Sequence, residues 1–71
     1  MAKAATFVMS RAAEGDMVKF AEDKDCVHPM RFKFSGFKGW AVVYVPLWDR
    51  DRMVKGRDLV YMTPEEVARH G

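Results

Sequence analysis

The chain predicts a small α+β domain: an antiparallel sheet of three to five strands, a short C-terminal helix, and room for one helix after the first strand. Three observations carry that expectation. Met30, Phe32 and Phe34 alternate with Arg31 and Lys33, and a second strand-forming run, Trp40 to Val45, follows a gap that holds Gly36 and Gly39. Period-two alternation on either side of a Gly-containing gap marks a β-hairpin. Near the C-terminus, Thr63-Pro64-Glu65-Glu66 has the residues of a helix start. Finally, 71 residues, 49% of them apolar, are enough for one domain, residues 1–71, and no more.

The elements follow in order. Ala4 to Ser10 reads as a first strand, because Thr6, Phe7 and Val8 suit a pleated surface. Residues 11–25 support two readings. Ala13, Met17, Phe20 and Ala21 fall on one helical face, with Ser10 as N-cap and Glu14, Lys19, Glu22 and Asp23 toward water. Against this helix stands Gly15, which costs about 1 kcal/mol relative to Ala in a helix interior. The rival reading makes Glu14-Gly15-Asp16 a turn and Met17 to Ala21 a strand. The helix is the favoured of the two.

His28 precedes Pro29 and is pushed toward an extended backbone. The two central strands come next. Alternation places Trp40, Val42 and Tyr44 on one face and Ala41, Val43 and Val45 on the other. Both sets are apolar, which predicts a central strand covered on both sides. Leu47 to Lys55 reads as a helical turn or an exposed connection, and Asp58 to Met62 as a last strand. Thr63 is then the N-cap, Pro64 occupies the first helical position, and Glu66 closes a capping box.

Composition narrows the function. Cys26 is the only cysteine, so no internal disulfide forms, which fits a reducing cytoplasm. No run is long and apolar enough for a membrane span, and the first ten residues lack a leader pattern. A core this small supplies only a few kcal/mol, so a homodimer or a larger partner would help complete the fold. The net charge is +2, but residues 29–57 hold seven cations against two carboxylates, with acidic segments on both sides. Such a basic middle suits a polyanion or an acidic protein surface.

Catalysis has thin support. Cys26 and His28 would share a face on a strand, as a nucleophile and base might, yet no third group orients them. Zinc needs four ligands, and the clustered supply is two. No cofactor is implied, and the chain reads as a non-enzyme.

Two binding classes remain. The favoured one is a small accessory protein, of the kind carried by phages and mobile elements, that binds a larger protein or nucleoprotein assembly and inhibits or adapts it. Trp48, Arg50, Arg52, Arg57 and Tyr61 would form that surface, being the residue types that dominate interface hot spots. The alternative is a single-stranded nucleic-acid-binding module. There Arg31, Lys33 and Lys38 would meet phosphates, while Phe37 and Trp40 stack on bases. The balanced charge, and the demand for Phe32, Phe34, Trp40 and Tyr44 in a small core, favour the first class.

One stretch resembles a known pattern. Lys38-Gly39-Trp40-Ala41-Val42-Val43-Tyr44-Val45 resembles the RNP1 strand of RNA-recognition motifs, with its basic-Gly-aromatic-Ala opening and a Val sixth. Val42 and Val45 stand where that pattern has its other aromatics. Thr6-Phe7-Val8 is similar to the partner strand of that motif. The resemblance implies a sheet whose face stacks bases.

Overall fold

The computed structural model describes residues 6–70. Five strands form one antiparallel sheet: β1 (Met17–Phe20), β2 (Met30–Ser35), β3 (Trp40–Val45), β4 (Arg50–Lys55) and β5 (Leu59–Tyr61), followed by helix α1 (Pro64–His70). The spatial order is β4-β3-β2-β1-β5. β1 to β4 therefore run as a meander, and β5 returns beside β1 after a 3-10 turn at Gly56–Asp58. The α+β class of the sequence reading, a five-stranded sheet with a short C-terminal helix, is the architecture found.

One face of the sheet carries the core. Val18, Met30, Phe32, Ala41, Val43, Val45, Val54 and Leu59 are buried there together with Phe7. Phe7 comes from the N-terminal segment, which lies over this face. Its ring packs 5.5 Å from Phe32 and 5.3 Å from Tyr61, tilted in both cases, a favourable aromatic arrangement. The expected first strand does not form over the described residues. Thr6 makes a single bridge to Val60, and Met9–Arg11 is a 3-10 turn. Residues 4 and 5 of that expectation lie outside the described chain.

The helix over residues 11–25 is also absent. Gly15 has φ 96°, a left-handed value that breaks a helix. The Asp16 N–H donates to the Ala13 carbonyl, and the Asp16 carboxylate accepts the Ala13 N–H at 2.8 Å, closing a tight turn. β1 then pairs with β2 on one side and β5 on the other. That position explains the outcome: without β1 as a strand the sheet would split, and tertiary pairing overrides an ambiguous local pattern.

The capping box forms as its residues require. The Thr63 N–H donates to Glu66 Oε1 at 2.9 Å, and the Glu66 N–H donates to the Thr63 hydroxyl at 3.2 Å. Glu66 Oε2 meanwhile accepts from Lys19 Nζ at 2.6 Å, with both side chains nearly buried. Lys19 and Val60 are paired across β1 and β5, on the face opposite the core. The ion pair thus ties α1 to the back of that end of the sheet. Lys19, expected to face water, is among the most buried polar groups of the molecule.

Candidate nucleic-acid interface

At the other end of the sheet the same back face is uncovered. β3 shows why: Ala41, Val43 and Val45 are buried, while Trp40, Val42 and Tyr44 are only partly so. The strand is covered on one side, not on both as its two apolar sets suggested. Nothing among the described elements lies over Trp40, Val42 and Tyr44 as α1 lies over Lys19.

A β-bulge enlarges this face. Arg31 pairs with Tyr44 and Phe32 with Val43, then the register slips at Lys33 so that Phe34 pairs with Val42. Simple alternation would send Phe34 into the core beside Phe32. The inserted residue turns it outward, and Phe34 is 55% exposed. β4 adds Asp51, Met53 and Lys55 opposite Tyr44, Val42 and Trp40. Phe34, Trp40, Tyr44 and Met53 therefore share one outer face, and three of the four rings expected as core lie there instead.

The β2–β3 turn extends the surface. The Trp40 N–H donates to the Phe37 carbonyl at 3.1 Å, and the two residues between them, Lys38 and Gly39, have φ of 51° and 82°. Two left-handed residues are the signature of a type I′ hairpin turn. Glycine adopts that backbone freely; Lys38 does so at a cost of roughly 1–2 kcal/mol. The turn holds the Phe37 ring out in solvent, 74% exposed, with the Lys38 ammonium 5.3 Å from its centroid. Lys55 is poised likewise, 5.6 Å from the Trp40 ring.

Where this turn meets the β4–β5 connection there is a cleft of about 380 Å³, lined by Lys38, Trp40, Lys55 and Arg57 over a floor of Phe7, Met9, Gly39 and Gly56. The Gly56 N–H donates to the Gly39 carbonyl at 3.0 Å and ties the two turns together. A Cβ at Gly56 would come within 3.3 Å of that carbonyl and 2.6 Å of the Met9 methyl, so a side chain here would press on the carbonyl and displace the methyl. Three cations line this cleft with Trp40, and Lys55 lies over its ring. None of them has a carboxylate partner among the described residues, where the ion pairs are Lys19–Glu66 and Lys33–Asp51.

The structure regroups the residues singled out by sequence. Lys38, Trp40 and Phe37 lie together at the β2–β3 turn, with Arg31 farther along the same face. Lys33 is on the bulge and is engaged by Asp51 at 2.9 Å. Arg57 joins the Trp40 cleft, not Trp48. Tyr61 packs its ring on Phe7 and its hydroxyl donates to the Val8 carbonyl at 3.5 Å, so it serves the core. Trp48, Arg50 and Arg52 do cluster, along β4. Sequence reasoning missed Phe34, Lys55 and Met53. Only the bulge reveals Phe34, and it leaves no mark in the hydrophobic pattern.

The thiol and imidazole are not brought together. Cys26 sits at φ 52° in a turn and is buried; burial, then the Glu66 charge, pushes its thiol pKa up. His28 instead packs its ring 5.3 Å from Trp48. Asp23 organises this loop by accepting the Val27 and His28 N–H groups, both at 2.9 Å. Burial opposes its ionisation, but those two amides outweigh it and hold the carboxyl below its usual range. Among the described residues no three His, Cys, Asp or Glu side chains gather as metal ligands, and no helix is long and apolar enough to cross a membrane.

Comparison of the chain with protein-family models, curated proteins and solved structures finds no match. The RNP1 resemblance stays confined to its eight residues. They do form the turn and β3, with Trp40 outward, but Thr6–Val8 builds no partner strand and the sheet has one short helix.

Proposed function

We propose that this protein is a non-enzymatic binding module that engages single-stranded nucleic acid through the outer face of β2–β4 and the adjoining basic cleft. The observation that carries the reading is the exposure of Phe34 and Phe37 beside a half-buried Trp40, with Lys38, Lys55 and Arg57 around them. The objection drawn from sequence was that these rings are wanted inside. Phe7, Phe32 and the aliphatic strand residues fill the core without them.

The chemistry suits an unpaired strand. Bases need flat rings, and each stacked base contributes about 1–3 kcal/mol by alanine substitution. Phosphates need cations, which Lys38, Lys55 and Arg57 supply, none of them in an ion pair among the described residues. A duplex keeps its bases stacked on one another and offers this face only its backbone. With three or four phosphates engaged, log K should fall with log salt at a slope of about −2 to −3.

The test is an anisotropy titration of a labelled oligo-dT or oligo-U and of a duplex, over a salt series. The expected result is preference for the single strand, the stated salt slope, and roughly tenfold weaker binding by Phe37→Ala, a loss of about 1.4 kcal/mol. Equal binding of single strand and duplex, or no effect of Phe37→Ala, would overturn it.

A further inference from the structure

A second surface lies along the free edge of β4; it shares Met53 with the outer face, but its cations, Arg50 and Arg52, lie outside the Trp40 cleft. β4 is one edge of the sheet, so alternate residues turn N–H and C=O groups outward without a ladder partner. Beside that edge runs a shallow groove of about 780 Å³, lined by Trp48, Arg50, Asp51, Arg52 and Met53. Trp48 is 44% exposed and held between two groups, the His28 ring at 5.3 Å and the Arg52 guanidinium at 5.2 Å. Asp51 is engaged by Lys33, while Arg50 and Arg52 have no carboxylate partner among the described residues.

From this geometry we infer that β4 accepts an acidic, extended peptide segment of a partner protein as a sixth strand. Arg50 and Arg52 are two residues apart and share a face, so carboxylates at alternate positions of the incoming strand would meet them. The residue between those carboxylates falls on the other face, directly opposite Asp51, which Lys33 already holds, and diagonal to the exposed Met53, so an apolar side chain that reaches Met53 fits there. The motif is therefore acidic-apolar-acidic. Ladder hydrogen bonds supply affinity and the two arginines supply selection, the usual division in strand addition. A second copy of this chain is a poorer occupant, because it would set the Arg50–Arg52 edge against another cationic edge.

The probe is a labelled peptide of roughly eight residues alternating Glu and Val, the length of an ordinary strand. Its controls are a Lys–Val counterpart and a version N-methylated at alternate residues, which cannot complete the ladder. The expected result is binding of the Glu–Val peptide alone, weakened roughly tenfold by Arg52→Ala and unchanged by Phe37→Ala. Arg52 is exposed, so its variant tests binding and not folding; circular dichroism verifies this. Absence of binding, equal binding of the N-methylated peptide, or sedimentation showing that a second copy occupies β4 would each overturn the proposal.

Discussion

The two ends of this sheet treat the same face in opposite ways. Behind β1 and β5, Glu66 of α1 and the Lys24 carbonyl close over Lys19, and the buried lysine and glutamate satisfy each other. Behind β2, β3 and β4 no described element covers the face, its rings are exposed or half-buried, and its cations at the Trp40 cleft have no carboxylate partner among the described residues. The charges of the first end are spent within the molecule, so they serve stability. Those of the second end are free to meet something else. In a domain of this size, with few kcal/mol to spare, leaving Phe34, Phe37 and Trp40 uncovered forgoes burial that a second helix could have supplied.

The largest effect is expected at the Lys19–Glu66 end. Lys19→Met leaves Glu66 buried without its partner and should cost about 3 kcal/mol, with nucleic-acid binding by the remaining folded protein unchanged. Adding Glu66→Gln should recover much of that loss, because the amide keeps the cap and carries no charge. Urea melts of the single and double variants check both statements.

Acid attacks the same end. Burial alone would raise the Glu66 pKa, but the Lys19 ammonium, the Thr63 amide and the Thr63 hydroxyl outweigh it and hold it below the usual value. A group whose pKa is depressed on folding stabilises fully above its unfolded value and loses that contribution as pH falls through the folded value. Stability should therefore decline on the acid side of the ordinary glutamate range, with Asp23 contributing in the same direction. Thermal melts across that range should show the decline in the parent and less of it in Glu66→Gln.

Smaller effects sharpen the contrast. Thr63→Ala removes one half of the capping box and should cost about 1 kcal/mol, or a fall of roughly 4–8 °C in Tm. Lys38→Asn should do the reverse. Asn tolerates the left-handed backbone, so the variant should gain about 0.5–1 kcal/mol while binding oligonucleotide less tightly. A residue whose removal stabilises the fold and weakens binding is one kept for function. Calorimetry with the same anisotropy titration reads both quantities.

The sequence made some of this legible and hid the rest for physical reasons. The hairpin and the capping box rest on contacts between near neighbours, so local pattern recovers them. β4 escaped because Asp49-Arg50-Asp51-Arg52 has no apolar alternation. As a charged edge strand it needs none, for it buries only Val54. Lys19 looked solvent-facing because its partner is 47 residues away. The candidate site was half readable: Phe37, Lys38 and Trp40 adjoin in sequence, whereas Lys55 and Arg57 reach the cleft only through the folded meander, and Phe34 only through the bulge.

The most direct test of the central claim is the map of backbone amide shifts on titrating the labelled protein with oligo-dT. The account predicts saturable shifts at residues 34–40 and 53–57, and unmoved amides in β1, β5 and α1. Shifts centred on α1 or spread evenly over the chain would contradict it.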